Sequence, residues 1–390
     1  MVIRRAKEGE SIYATASEWG LAPQYLKEIS GINSRILAEG REVGLITPSR
    51  TYVVRRSDTL GGICKRFSVS EREVIALNPE LSGGRRVYPG QYLVLKLADV
   101  SVGVGVKNGY IYRGVGDEQL SRVLPYLDIL TVGAAYAVGK KIEVDRSLDF
   151  ARRAAIARGV TPLLRIYIRE TSRGEEQEFI IGACCLAKSY GYAGVVLGGF
   201  SALGGGACEF LVEFRRRALD EGLLVGVEGV LGQECAYTEY ADLAMMSYDK
   251  LENEKIEGFC EGERAAIIKR AEAVEVANTL VDLPAFALMG ARYLSRRQAF
   301  NMSERRGAKI THDDGARVMR IREGRREAIC ESMANVEGRI IAAAECGYLG
   351  VSYDVGRVPF SEIFMAHTML SRAACLPLGD SPLNCRGEIK

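Results

Sequence analysis

The chain has 390 residues, a formal net charge of +2, and 47% hydrophobic against 26% charged residues. That length is too great for one small domain and suffices for a large barrel with small modules. The near-neutral balance gives no field to gather nucleic acid or an anionic membrane, and with no run of about 18 uncharged apolar residues no membrane span is expected.

Arg and Lys clusters such as Arg215-Arg216-Arg217 are interrupted by apolar residues and read as a solvated helix face. The opening Met1–Glu10 lacks the apolar stretch of a secretory signal, so synthesis and retention in the cytoplasm is expected. The ten cysteines contain no Cys-x-x-Cys, and only His312 and His367 could add imidazole. Neither a metal site nor a cofactor is therefore expected. Buried free thiols in a reducing compartment are the reading for most of them, with Cys375 and Cys385 as candidates for crosslinks to other proteins.

Two related units open the chain. Gly9-Glu10-Ser11-Ile12 aligns with Ser57-Asp58-Thr59-Leu60 at a spacing of 48, and at that spacing Trp19 meets Phe67, Leu26 meets Val74 and Ile29 meets Leu77. Each unit closes with an extended apolar segment, Arg41–Ile46 and Gln91–Leu95, which predicts strand, helix, helix, strand over 1–49 and again over 50–97. Asp58 or Thr59 is placed to cap a helix, and Ser70 with Glu73 predicts a capping box.

These units resemble LysM modules, which bind N-acetylglucosamine polymers in peptidoglycan and chitin. The second is the closer match, through Tyr52–Leu60, Leu77-Asn78-Pro79 and Val87–Gln91; the first has Ser30 where the family has Asn, and no Pro before Gly40. The resemblance implies a glycan groove at Asp58, Thr59, Leu60, Asn78, Pro79 and Leu81. Gly9, Glu10, Ser11, Ile12, Ser30 and Ile32 are the first-module counterparts. A folded adaptor that no longer binds sugar is the alternative.

From about Asp99 the texture changes to short apolar runs alternating with helical stretches. Candidate strands are Gly109–Tyr112, Ile129–Gly133, Thr161–Ile166, Val195–Leu197, Leu224–Val227, Leu243–Tyr248, Thr279–Leu283 and Leu349–Tyr353. Eight such strands with helices between them predict an α/β fold, a (β/α)₈ TIM barrel over 98–390. The long interval between the last two strands predicts an insertion at roughly 290–345, with Ala308–His312 and Ala316–Ile321 as a hairpin. Gly204-Gly205-Gly206 reads as a loop, since no Lys-Ser/Thr follows to make a phosphate cradle.

The barrel resembles glycoside hydrolase family 18, and in particular its LysM-bearing branch, the N-acetylglucosaminidases of bacterial spores. The resemblance rests on Asn108–Tyr112, Leu124–Leu127, Met246-Ser247-Tyr248-Asp249 and Gly347–Gly356. It also rests on Ala193-Gly194-Val195-Val196-Leu197-Gly198-Gly199-Phe200, laid on the family's strand-four motif Asp-Gly-(apolar)-x-(apolar)-Asp-(apolar)-Glu. In that family the substrate's acetamido oxygen is the nucleophile, an exception to the two-carboxylate scheme. The final Glu protonates the leaving oxygen and the Asp two residues before it orients the acetamido group. Here Ala193, Gly198 and Phe200 stand at the three acidic positions. Loss of general acid catalysis costs about 10²–10⁴-fold, so the resemblance implies a hydrolase scaffold without its proton donor.

Tyr248 and Asp249 survive from the family's catalytic floor; Asp354 replaces its strand-eight Trp, and Tyr136 is a further candidate sugar contact. Among carboxylates at strand ends (Glu170, Glu228, Asp249 and Asp354), Glu228 with Asp249 is a candidate relocated pair, because adjacent strands lie about 4.8 Å apart. The expected function is binding of peptidoglycan or another N-acetylglucosamine polymer in the bacterial cell wall or spore envelope. The protein would be made in the mother cell and laid on the spore cortex or coat, with spore coat proteins as further partners. The alternatives are an active N-acetylglucosaminidase using Glu228, or a barrel that only presents the LysM modules.

Overall fold

The computed structural model describes residues 1–81, 86–112, 114–170, 174–199, 203, 206–230, 235–247, 264–290, 292–305, 307–315 and 317–372. In the first module, strand Val2–Arg5 pairs antiparallel with Glu42–Leu45 around helices Ile12–Glu18 and Pro23–Ser30. In the second, Pro48–Val53 pairs with Tyr92–Leu97 around Leu60–Phe67 and Glu71–Leu77. Thr59, not Asp58, is the helix cap: its hydroxyl accepts from the Gly62 amide at 3.1 Å. The capping box of Ser70 and Glu73 forms as the spacing predicts.

Eight parallel strands close into a barrel: β1 Val106–Ile111, β2 Ile129–Val138, β3 Thr161–Glu170, β4 Gly194–Gly198, β5 Leu224–Val230, β6 Leu243–Ser247, β7 Thr279–Asp282 and β8 Gly350–Asp354. Each pairs with its neighbours in chain order, and β8 returns to β1. Strands buried on both faces need apolar side chains on both, which is why these segments read as continuous apolar runs rather than as alternation. Inward residues such as Val106, Ile129, Leu163, Val196, Leu224 and Leu280 pack the lumen. The outward ones meet the helices, for example Glu176–Tyr190 and Ala207–Asp220. Among the described residues no helix is long and apolar enough to cross a membrane.

The insertion is larger than a hairpin. Strands Lys309–Asp313 and Val318–Glu323 pair as expected, and Phe286–Met289, Arg292–Ser295 and Arg326–Glu331 extend them to a five-stranded sheet carrying helix Arg296–Met302. It ends earlier than 345, because helix Met333–Glu345 packs on the barrel, where Arg339 donates to the Asp282 carbonyl at 3.0 Å. Phe286–Met289 is an apolar run of only four residues, and the other two added strands mix charged and apolar residues too briefly to separate from loop in the sequence. Two buried ion pairs flank this sheet, Arg296–Glu362, with neither side chain exposed, and Arg339–Glu331. Breaking such a pair by removing one partner typically costs about 3–5 kcal/mol.

The first module is docked on the barrel and the inserted sheet. Glu42 accepts from the Met333 amide at 2.6 Å, and the Ile310 amide donates to the Glu39 carbonyl at 3.1 Å. Gly40 sits there with φ of 80°, and a Cβ would lie 3.0 Å from the Ile310 carbonyl carbon, so glycine is required by both backbone and contact. The second module touches the first through Tyr92 against Tyr25, with ring centroids 6.3 Å apart, and the barrel through Arg72, which donates to the Leu127 carbonyl.

His367, on helix Phe360–Met369, is partly buried against the edge of Tyr126, ring centroids 5.1 Å apart, with its Nδ1 out of solvent. Burial, and then the charge of Lys107, push its imidazole from 6.5 down to about 3. Between those values the unfolded chain takes up a proton that the folded chain refuses, so stability falls as pH drops below the unfolded value. His367→Leu is expected to flatten that acid limb, by up to about 1.4 kcal/mol per pH unit, in urea denaturation between about pH 4 and 7.

Candidate functional site

The C-terminal mouth of the barrel is built from the inward parity of its strands. On β3, Leu163 faces the lumen, so Arg165 two residues on faces it too. On β5, Leu224 faces inward, and so does Glu228. These strands are separated by β4, hence by about 9–10 Å. The intervening position is Gly198, and over it the two long side chains meet. Arg165 donates Nε to Glu228 Oε2 at 2.8 Å and Nη2 to Oε1. Tyr112 donates its hydroxyl to Oε2 at 2.8 Å. A Cβ on Gly198 would fall 2.6 Å from the Glu228 Cδ. The space beside strand four that a side chain at position 198 would use is thus filled by the carboxylate of strand five.

The guanidinium is sandwiched by aromatic faces, with Arg165 Cζ 4.3 Å from the Tyr112 ring centroid and 4.9 Å from that of Tyr167. Burial alone would lower its pKa, but the hydrogen bonds and charge of Glu228 outweigh this and raise it. Burial and then the Glu228 charge hold the Tyr112 phenol far above its ordinary value, so it remains a donor. Both Glu228 oxygens accept from N–H or O–H groups, so both are engaged within the site. Tyr110 stacks on Tyr112 at 5.1 Å and donates to Asp282 Oδ2 at 3.0 Å, and Ser352 donates to Asp282 Oδ1 at 2.9 Å. Below them Thr131 donates to Asn108 Oδ1. Arg165 and Glu228 side chains keep 13% and 16% exposure, so the pair forms a polar floor reached by solvent.

The other expected site residues separate. Ala193 lies at the N-terminal foot of β4, packed on the lumen core at the opposite end from the mouth. Asp354 is 5% exposed and turns its carboxylate back to the Gly356 amide at 2.8 Å and to Arg357 Nε at 3.4 Å, shaping the turn after β8. Burial raises its pKa, partly offset by Arg357. Tyr136 is on the extension of β2, under the Arg169 guanidinium at 4.2 Å. Phe200, Tyr248 and Asp249 lie outside the described residues. The residues that the sequence reading passed over are Tyr110, Tyr112, Arg165 and Asp282. The usable signal was Arg165, a cation at lumen parity in an otherwise apolar strand, which requires an acid within reach. Among the described residues no group of three or more His, Cys, Asp or Glu side chains is arranged to hold a metal ion.

The module grooves differ in the same analytical detail. Asn78 is fully buried: its amide donates to the Val74 and Val94 carbonyls at 2.6 and 2.7 Å and accepts from the Val94 amide at 2.8 Å, tying helix to strand. Leu60, Pro79 and Leu81 are also buried, Leu60 and Leu81 in the core of the module, while Thr59 is exposed. Asp58 is held by the Tyr52 hydroxyl and the Arg55 amide, which lower its pKa. In the first module Ser30 reaches only the Leu26 carbonyl of its own helix, and Ile12 and Ile32 are core. Gly9 is exposed, while Ser11 caps its helix and Glu10 accepts from Thr15. The loop after Ser30 is engaged by the insertion, the Asn33 and Ser34 amides donating to Glu304 at 3.0 and 2.8 Å.

Residues 52–96 match the LysM domain, and the whole chain has the fold of a LysM-bearing, chitinase-type (β/α)₈ barrel. The Bacillus cereus spore cortex-lytic enzyme SleL superposes with a TM-score of 0.71 at 15% identity, over 95% of this chain and 99% of that one. A chitinase from Chromobacterium violaceum (TM-score 0.58, 14% identity) and the chitinase-like agglutinin RobpsCRA from Robinia pseudoacacia (0.56, 13%) each cover 68% of this chain. Those matches span 99% and 100% of their own chains. No curated protein matches the chain in sequence.

If Glu228 fills the place of a strand-four side chain, Gly198→Ala is expected to destabilise by about 1–3 kcal/mol. Urea denaturation of Gly198→Ala, Glu228→Ala and the double variant should then give a coupling of about 0.5–3 kcal/mol, whereas additive losses would mean that the two positions do not compete for space.

Proposed function

We propose that this protein binds peptidoglycan, or a related N-acetylglucosamine polymer, through its LysM modules, and that its barrel does not hydrolyse the glycan. The observation that carries the reading is the clamp over Gly198: the carboxylate that lies over this position of strand four is Glu228, and it is engaged by Arg165 and Tyr112. A general acid must bring a proton to the leaving oxygen. Glu228 faces donors on both oxygens and would have to break a bidentate charge-assisted pair first. The LysM match at 52–96 supports the glycan class, and the more regular second module is the stronger candidate for binding. The likeness to SleL, a spore cortex-lytic enzyme, supports a place at the spore cortex, and the agglutinin is a barrel of this fold described by binding.

The position of Glu228 also favours a second reading, in which substrate displaces Arg165 and frees the carboxylate to act in an N-acetylglucosaminidase. The full chain is expected to co-sediment with purified peptidoglycan, to be released by soluble N-acetylglucosamine oligomers, and to liberate no reducing ends. Reducing ends that accumulate with wild type and vanish in Glu228→Gln would establish the hydrolase instead. Absence of co-sedimentation would remove the binding function.

A further inference from the structure

Where the first module, the barrel and the inserted sheet meet, they enclose a cavity of about 150 Å³. Its lining includes one arginine from each unit: Arg41 from the module, Arg122 from the barrel and Arg297 from the insertion. We propose that this junction is a binding site for a small anion, a phosphate or a short carboxylic acid.

The state of the three cations carries the argument. Arg41 is 4% exposed, yet it has no ion pair among the described residues. Its Nη1 donates to the Ser303 hydroxyl at 2.8 Å, and its Nε finds no acceptor. A buried guanidinium without a counter-charge is costly, and this fold supplies one elsewhere: nearby Arg296, equally buried, has Glu362 on both sides of its fork. Burial lowers the Arg41 pKa, with Glu304, Glu362 and Glu42 acting only from longer range. Arg122 is partnered on one side, by the Glu28 carbonyl at 2.7 Å and its carboxylate at 3.2 Å, while its Nε has no acceptor. Arg297 is half-buried and likewise has no ion pair among the described residues; Asp354 acts on it from a distance.

Geometry prepares two of these groups for a planar acceptor. Arg41 Cζ lies 4.3 Å from the Phe300 ring centroid and Arg122 Cζ 4.2 Å from that of Phe360. A guanidinium stacked on a ring has its face covered and its N–H edge left free, the edge that forks onto carboxylate or phosphate oxygens. The acid among the lining residues is Glu304, which already serves the Asn33 and Ser34 amides. With Glu28 paired to Arg122 and Glu304 in the lining, three cations still face only two acids, which leaves positive charge for a ligand to match. The volume admits a molecule of about benzene size, so the ligand is an inorganic oxyanion or an acid with a few carbons. Bound there, it would touch all three units and stabilise their docking by mass action.

Calorimetric titration of the full chain with inorganic phosphate and, separately, with succinate, at ionic strength held constant with sodium chloride, is expected to show saturable binding of at least one, with a matching rise in melting temperature. Arg297→Gln removes a cation that the fold leaves unpaired. It is expected to weaken binding about tenfold or more without changing the ligand-free melting temperature. Arg41→Gln should abolish binding. Saturation by phosphate alone supports a phosphoryl site, and by succinate alone a carboxylate site. No saturable binding of either anion, or equal binding by wild type and Arg297→Gln, overturns the proposal.

Discussion

A guanidinium inside a barrel lumen must find an acid, and Arg165 finds it two strands away. The contact with Glu228 exists because position 198 on the intervening strand has no side chain. Any residue larger than glycine there would compete with the carboxylate for the same space. The pair is stacked between Tyr112 and Tyr167 and bonded by Tyr112, so it organises the described floor of the mouth as one polar network. In a partly desolvated site such a network is held by mutual satisfaction, and removing one member exposes the others to an unpaired charge. The missing side chain at position 198 and the pair that fills its place are therefore one structural feature.

The two modules show how a single polar side chain separates near-identical folds. Asn78 has donor and acceptor on one planar amide and ties its helix to strand Tyr92–Leu97. Ser30 has a single hydroxyl and reaches only its own helix. What the first module lacks in internal ties it makes up by docking, through Glu42, Gly40 and the loop that meets Glu304. That docking takes up one wall of its expected groove and, in closing, forms the arginine-lined junction with the barrel and the inserted sheet. A glycan-binding role thus falls more naturally on the second module.

Much of the architecture was legible in the chain alone. Thr59, Ser70 and Glu73 announce helix starts through local hydrogen-bond chemistry that needs no tertiary partner, and the eight apolar runs announce strands covered on both faces. The mouth was legible only in part. Glu228 was visible as an acid at a strand end, but its neighbour on β6 was the expected partner, and Arg165 across β4 went unweighed. Asp354 read as a floor residue, whereas its carboxylate closes a local turn. The full inserted sheet was hidden because its strands are short, pair with one another, and, apart from the four apolar residues Phe286–Met289, mix charged with apolar side chains.

Sequence by itself determined the strand and helix periods, the caps, and the absence of carboxylates along β4, since each of these is set by residues within a few positions of one another; the repeat showed as the same local pattern met twice. Tertiary structure alone decided which acid would neutralise Arg165, which module would have the loop of its expected groove held by the inserted sheet's Glu304, and which arginines would be left without a counter-charge. Those outcomes depend on side chains brought together from distant parts of the chain, such as Arg41 with Ser303 and Arg165 with Glu228. Long-range pairing of charge is fixed by the closure of the barrel and the docking of its neighbours, and no local pattern encodes it.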